Sequence, residues 1–148
     1  MIRDPQGAAL YIMAPANAGI STAFARGKPG HAGWNELRTT DAPAAFAFYS
    51  AHFGWGKSGE MDMGPMGPYI LFNTGAEQTG GIMRSPNFPH PMWLAYFTVD
   101  DIDAAAARLQ TAGGSLVWGP QEVPGGDHVL HGRDPQGALF ALLGPKHA

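Results

Sequence analysis

DAPAAFA (41–47) decides the fold, because DIDAAAA (101–107) repeats its pattern, an aspartate followed by small helix-forming residues, sixty positions later. An aspartate in such a position caps a helix, since its carboxylate accepts a backbone N–H group of the first turn. Gly54 and Gly114, again sixty positions apart, are placed to end the two helices. We therefore predict two equivalent helices, one after Asp41 and one after Asp101.

Strand-like runs surround each predicted helix in the same order. Residues 34–39 precede the first helix and residues 93–99 precede the second. Three further runs follow each helix: 55–63, 68–73 and 78–84 in the first half, and 115–119, 128–132 and 138–143 in the second. Each half is then a βαβββ unit, with units at about 31–88 and 89–148. A four-stranded half-sheet cannot bury its concave face alone, so we predict an α+β fold with a curved eight-stranded mixed sheet and helices outside.

The hexapeptide RDPQGA occurs twice, at 3–8 and at 133–138, and each copy leads into an apolar run. Asp-Pro-x-Gly favours a tight turn, because Asp accepts local backbone hydrogen bonds, Pro presets φ and Gly closes the turn. We therefore predict that each copy forms the turn of a hairpin. The first copy lies outside the two units, so it adds an extra N-terminal strand to the fold.

Composition narrows the possible partners of this 148-residue chain. It has no cysteine, which excludes thiolate catalysis, disulfides and thiolate-bound metals. Its net charge is −3 and its 9 basic residues are scattered, whereas nucleic-acid binding needs a concentrated basic face. No apolar run is long enough to cross a bilayer. We expect a cytoplasmic protein that binds neither nucleic acid nor membrane.

The duplicated unit resembles the vicinal oxygen chelate superfamily, in the aspartate before each helix, Phe48-Tyr49 within the first helix and Asp-Pro-x-Gly before the last strand. That superfamily contains glyoxalase I, fosfomycin- and bleomycin-resistance proteins and extradiol dioxygenases. The segments WNELRTTD (34–41), GGIM (80–83) and WLAYF (93–97) are similar to the tandem-domain glyoxalase/bleomycin-resistance-like proteins. This resemblance implies that residues 31–148 are one such domain. It also implies that residues 1–30 are the closing strand of a missing preceding domain plus a linker.

The resemblance also indicates where a metal would be bound. Metal-dependent members place His, Gln or Glu seven positions before the helix-capping Asp, and Glu seven positions after the turn Asp. The corresponding residues of this chain are Trp34 and Leu94 before the helices, and Tyr11 and Ala141 after the turns. None of these side chains is an oxygen or nitrogen ligand of the kind that such a site uses. We therefore predict no metal site and no cofactor.

Strand alternation predicts which side chains face a cleft in the sheet. If Trp34 faces the cleft, then Glu36 and Arg38 do so as well, and Leu37 points back to the helices. In the second half the alternation turns Leu94, Tyr96 and Thr98 to the cleft, and Ala95, Phe97 and Val99 to the helices. His128 and His131 are three positions apart, so only one of them can face it. The predicted ligand-binding residues are Trp34, Glu36, Arg38, Tyr69, Trp93, Tyr96 and His131.

These residues leave three functions open. The first is a metal-independent member of the superfamily that binds a small organic molecule, with Glu36 and Arg38 orienting a polar group. The second is a metal-dependent glyoxalase-type lyase or dioxygenase, in which Glu36 is the best catalytic candidate and a partner chain or the missing domain completes the ligands. The third is an interaction module that pairs its first strand across a homodimer. Ordinary alternatives exist as well: Glu36 and Arg38 can form a surface ion pair, and both Trp34 and Trp93 can pack in the core.

Overall fold

The computed structural model describes residues 1–88 and 90–147, and the chain divides into two compact units. Unit 1 comprises Met1–Ile20 and Asn35–Trp93, and unit 2 comprises Ser21–Trp34 and Leu94–Ala148. The N-terminal 34 residues are shared between the units, because residues 1–20 pack with unit 1 and residues 21–34 with unit 2.

Unit 1 contains a four-stranded mixed sheet and a small separate hairpin. The elements are β1 (Ile2–Arg3), β2 (Ala9–Leu10), β3 (Ala32–Thr39), α1 (Ala42–Phe53), β4 (Gly56–Asp62), a 3₁₀ turn (Gly64–Met66), β5 (Pro68–Thr74) and β6 (Glu77–Arg84). In the four-stranded sheet β6 pairs with β3 in parallel and with β5 in antiparallel fashion, and β4 pairs with β5 at the edge. The predicted extra N-terminal strand takes the form of β1 and β2, which form a two-stranded sheet with each other and pair with no other strand among residues 1–88 and 90–147.

Helix α1 begins and ends where its sequence predicts. The Asp41 carboxylate accepts the backbone N–H of Ala44 at 3.0 Å, and Gly54 ends the helix in the left-handed conformation with φ of 68°. The helix buries Ala42, Ala45 and Tyr49. Against these residues pack the buried apolar side chains of the sheet and of the N-terminal hairpin: Ala8, Leu37, Ile70, Phe72 and Ile82.

Unit 2 repeats this arrangement. Its elements are β7 (Met92–Thr98), α2 (Ile102–Thr111), β8 (Ser115–Glu122), β9 (His128–Arg133) and β10 (Leu139–Gly144). Strand β10 pairs with β7 in parallel and with β9 in antiparallel fashion, and β8 pairs with β9 at the edge. The Asp101 carboxylate caps α2 by accepting the N–H of Ala104 at 2.8 Å. The predicted α+β class, with two βαβββ units and eight strands of mixed direction, is confirmed.

Phe97 is exposed, although strand alternation predicts that it points towards the helices. Phe97 was assigned to the helix side of its strand, yet 42% of its surface is exposed. Helix α2 makes its main strand contacts with β8, β9 and β10 rather than with the strand that holds Phe97. Neither helix of the described chain has the length and apolar character that crossing a membrane requires.

Candidate functional site

A buried carboxylate forms the centre of the polar network in unit 1. Glu36 lies on β3 with only 6% of its surface exposed. Its Oε1 accepts a hydrogen bond from Arg38 Nε at 2.8 Å, and its Oε2 accepts one from the Tyr69 hydroxyl at 3.0 Å. Glu36 and Arg38 are two positions apart on one strand, so they share a face, as alternation predicted. Leu37 between them packs in the core beside α1, which places Glu36 on the sheet face away from that helix.

Gly81 allows Tyr69 to reach this carboxylate. Strand β6 lies between β5 and β3, and its Gly81 pairs with Glu36 on one side and with Leu71 on the other. A Cβ atom at position 81 would overlap the Tyr69 ring. The missing side chain therefore leaves the space in which the tyrosine ring crosses a whole strand. The GGIM motif thus has a structural role that its sequence alone did not reveal.

Arg38 is held between a carboxylate and an aromatic ring. Its guanidinium carbon lies 4.4 Å from the centroid of Phe88, within the range of a cation–π contact. Its Nε is the atom that donates to Glu36. The Glu36 charge is thus buried and the Arg38 side chain is only 11% exposed, and each charge is stabilised by its neighbours, as removal from water requires. Phe88 was absent from the predicted site, because its position in the segment after β6 gives no alternation signal.

Unit 2 contains a second polar pair of related design. The Tyr96 hydroxyl and His131 Nε2 share a hydrogen bond at 2.9 Å, and both residues are buried. Tyr96 and His131 lie on either side of Ala141, which belongs to the middle strand β10. Each of the three lies sixty positions after its counterpart in unit 1, where Glu36 and Leu71 lie on either side of Gly81. The small side chain of Ala141 again leaves space for a hydrogen bond between residues of the two strands that flank β10. Trp118, 46% exposed, lies against the imidazole with ring centroids 5.0 Å apart.

The structure places the two remaining predicted site residues in different surroundings. Trp34 is half-buried in the cluster of Leu94 and Tyr96, and the guanidinium carbon of Arg26 lies 5.3 Å from its ring centroid. Trp93 packs instead beside α1, where its Nε1 donates to the Tyr49 hydroxyl at 3.0 Å. Neighbouring residues of a strand point to opposite faces, so Trp93 turns away from the face of Leu94.

The residues present do not fit the metal site of metal-dependent relatives. Leu94 and Ala141 are buried apolar side chains, Trp34 is half-buried and Tyr11 is exposed. Within residues 1–88 and 90–147, no three or more His, Asp or Glu side chains are grouped so that they could hold a metal ion. Glu36 itself lies beside a guanidinium and a phenol, neither of which is an ordinary metal ligand at neutral pH.

A separate groove lies in unit 1 at the start of α1. It has a volume of about 360 Å³ and is lined by residues 40–43, residues 64–68 and Arg84. The segment between β4 and β5 therefore forms one wall of a depression in the surface. None of the predicted site residues is among the described residues that line it.

The sequence matches the model of a known protein family. The profile of the family described as "Glyoxalase/Bleomycin resistance protein/Dioxygenase superfamily" matches residues 28–142. The chain belongs to this superfamily. The resemblance to vicinal oxygen chelate proteins is thereby confirmed at the level of the family.

Curated relatives share about a third of the residues. The Mycobacterium tuberculosis protein named "Putative glyoxylase CFP32" is 37% identical over 145 residues, which is 97% of this chain and 54% of the relative. "Anthracycline biosynthesis protein DnrV" of Streptomyces peucetius is 32% identical over 136 residues, covering 82% of this chain and 48% of the relative. This member of the superfamily thus spans about half the length of the curated relatives that it matches.

Solved structures agree on the fold. Methylmalonyl-CoA epimerase from Mycobacterium tuberculosis superposes with a TM-score of 0.58 at 19% identity, over 77% of this chain and 87% of the epimerase. A second methylmalonyl-CoA epimerase structure gives a TM-score of 0.57 at 21% identity, over 77% and 94% of the two chains. At such identity the similarity establishes the shared fold and leaves the chemistry to the site.

Proposed function

We propose that this superfamily member binds a small, partly apolar organic molecule beside the Glu36–Arg38–Tyr69 network, without a bound metal. The supporting observation is the network itself: a buried carboxylate with one oxygen bonded to a guanidinium and the other to a phenol. Replacing such a buried ion pair by apolar residues often stabilises a fold, so its presence favours a role in recognition over one in stability.

The chemistry of the network defines the ligand that it would recognise. Arg38 can donate to carbonyl or phenolate oxygens. The Tyr69 oxygen, whose hydrogen is donated to Glu36, and the Glu36 carboxylate can each accept from a hydroxyl group of the ligand. Phe88 adds a flat apolar surface beside the charged groups. Small-molecule sites combine a few placed polar groups with apolar and aromatic walls in this manner. A planar, oxygen-rich molecule fits this description, and the names of the relatives, a glyoxylase and an anthracycline biosynthesis protein, point to small oxygenated molecules as well.

The alternative function is metal-dependent catalysis, and an experiment has to distinguish it from metal-independent binding. A lyase or dioxygenase of the superfamily that used Glu36 as a metal ligand would have to break its bonds to Arg38 and Tyr69. It would also need further ligands from another chain. The proposed binding function needs neither change.

A binding titration with an anthracycline tests the proposal, with EDTA present and tryptophan fluorescence as the readout. Glu36→Gln removes the charge and is expected to weaken binding at least about tenfold, since a hydrogen bond to a charged group contributes roughly 1.5–3 kcal/mol. Glu60→Gln is the matched control, because Glu60 forms an exposed pair with Lys57. Binding that appears only after Ni²⁺, Zn²⁺, Mn²⁺ or Fe²⁺ is added, or that Glu36→Gln leaves unchanged, would contradict the proposal.

A further inference from the structure

The hexapeptide RDPQGA adopts one geometry at both of its positions. In each copy the aspartate Oδ1 accepts the N–H groups two and four residues later, at 3.1 and 2.8 Å in the first and 2.9 and 2.8 Å in the second. The arginine Nη1 donates to the glycine carbonyl at 2.8 Å in both. The flanking strands also share their register, with Arg3 opposite Ala9 and Arg133 opposite Leu139. Both copies therefore present the same surface.

The first copy is docked onto the core of unit 1. Asp4 is 4% exposed, and its Oδ2 accepts the Tyr49 hydroxyl at 3.0 Å. That hydroxyl in turn accepts the Trp93 indole N–H at 3.0 Å. The Ala8 side chain is fully buried in the core cluster that contains Ala45 and Tyr49. We call this docking position, formed by Ala45, Tyr49 and Trp93, the Tyr49 socket.

Burial keeps the socket in the form that binds a carboxylate. It raises the pKa of the Tyr49 phenol well above its ordinary value of 10.0, and the nearby Asp4 charge adds to the increase. Tyr49 therefore remains a hydrogen-bond donor throughout the physiological pH range. A donor beside a small apolar pocket is complementary to an aspartate followed four residues later by alanine.

The second copy has this same surface but is not docked. Ala138 is exposed where its counterpart Ala8 is fully buried. Asp134 is half-buried, and no hydrogen bond to its Oδ2 is formed within the described chain. The residue sixty positions after Tyr49 is Leu109, which has no hydroxyl group. The helix of unit 2 therefore cannot supply an equivalent socket for residues 133–138.

We propose that the 133–138 hairpin is a docking element for the Tyr49 socket of a second copy of this chain. It would take the position that residues 3–8 occupy within one chain. The intramolecular hairpin competes at a high effective concentration, so docking between copies requires displacement of residues 3–8. The contact joins different surfaces of the two copies and is head-to-tail, so it can extend beyond a dimer. This surface is independent of the Glu36 network and goes beyond the proposed binding function.

Two alanines at equivalent positions of the hexapeptide give a matched test in the full chain. Ala8→Glu places a charge in the socket and is expected to expel the first hairpin, whereas Ala138→Glu alters an exposed position. In sedimentation velocity at about 1–100 μM, the Ala8→Glu variant should show a mass that rises with concentration above that of the wild type. Ala138→Glu should match the wild type, and the double variant should lose the additional association. A folded Ala8→Glu variant without the mass increase, or a double variant that associates equally, would overturn the proposal.

A peptide experiment covers the case in which Ala8→Glu impairs folding. Asp4→Ala removes the bond to Tyr49 without placing a charge in the core, and it replaces the first variant if circular dichroism shows unfolding. A synthetic peptide with the sequence of residues 131–141 is then titrated into the folded variant. Binding should change the fluorescence of Trp93, which contacts Tyr49. The same peptide with glutamate at the Ala138 position should not bind. Failure of the unmodified peptide to bind at millimolar concentration would overturn the proposal.

Discussion

Gly81→Ala tests the claim that a missing side chain connects two strands of unit 1. The added Cβ would overlap the Tyr69 ring, so the ring has to move away from β6 and from Glu36. Overpacking of this kind costs about 1–3 kcal/mol. Loss of the hydrogen bond from Tyr69 to the buried carboxylate adds about 1.5–3 kcal/mol. We expect a total destabilisation of roughly 2.5–6 kcal/mol, a large fraction of the stability of a domain of this size.

Urea unfolding of four variants measures this effect: Gly81→Ala, Gly19→Ala, Tyr69→Ala and the double variant Tyr69→Ala/Gly81→Ala. Gly81→Ala should lower the midpoint strongly, whereas Gly19→Ala, at an exposed position with open space around it, should remain within about 0.5 kcal/mol of the wild type. In the double variant Tyr69→Ala/Gly81→Ala the clash is absent. The hydrogen bond from Tyr69 to Glu36, which both single variants lose, is lost only once in the double variant. Its destabilisation should therefore be smaller than the sum of the single effects by roughly 2.5–6 kcal/mol, the clash plus one hydrogen bond. A Gly81→Ala protein as stable as Gly19→Ala, or strictly additive effects, would refute the reasoning.

Two further predictions concern ionisable groups. The raised pKa of Tyr49 means that its contribution to stability is complete below pH 10.0, the pKa of an exposed tyrosine, and is lost as pH rises above that value. Tyr49→Phe should remove this loss of stability at alkaline pH. It should also lower the free energy of unfolding by about 1–3 kcal/mol at neutral pH, because Asp4 loses a hydrogen-bond partner. If unfolding curves of this variant at pH 8 to 12 show the same alkaline loss as the wild type, the prediction is wrong. The backbone N–H of Ala104 lowers the pKa of Asp101 below 3.8, so its contribution is present above that pH and is lost as pH falls through the lowered value. Asp101→Asn retains a capping oxygen, so it should reduce the loss of stability at acid pH without changing the helix cap. Asp101→Ala removes the cap and should also lower stability at pH 7. Thermal unfolding as a function of pH measures both effects.

Alternation predicted the orientation of the central residues but not what they contact. Glu36 and Arg38 share a face and Leu37 turns to the helix, as their two-residue period indicates. The link from Tyr69 to Glu36 depends on Gly81, a residue of a third strand that is distant from both in sequence. Trp93 is among the predicted ligand-binding residues, with packing in the core as its ordinary alternative, and its ring lies beside Tyr49 of α1.

The sequence by itself determined the units and their turns, because the signals that set them are local. A capping aspartate, a terminating glycine and an Asp-Pro-x-Gly turn each act within a few residues, and RDPQGA accordingly forms the same hairpin at both of its positions. Only the tertiary structure decided which copy is buried, which tyrosine reaches Glu36 and which aromatic rings pack beside α1. Those outcomes depend on strand register and on the residues of neighbouring strands, which bring together groups that lie far apart along the chain.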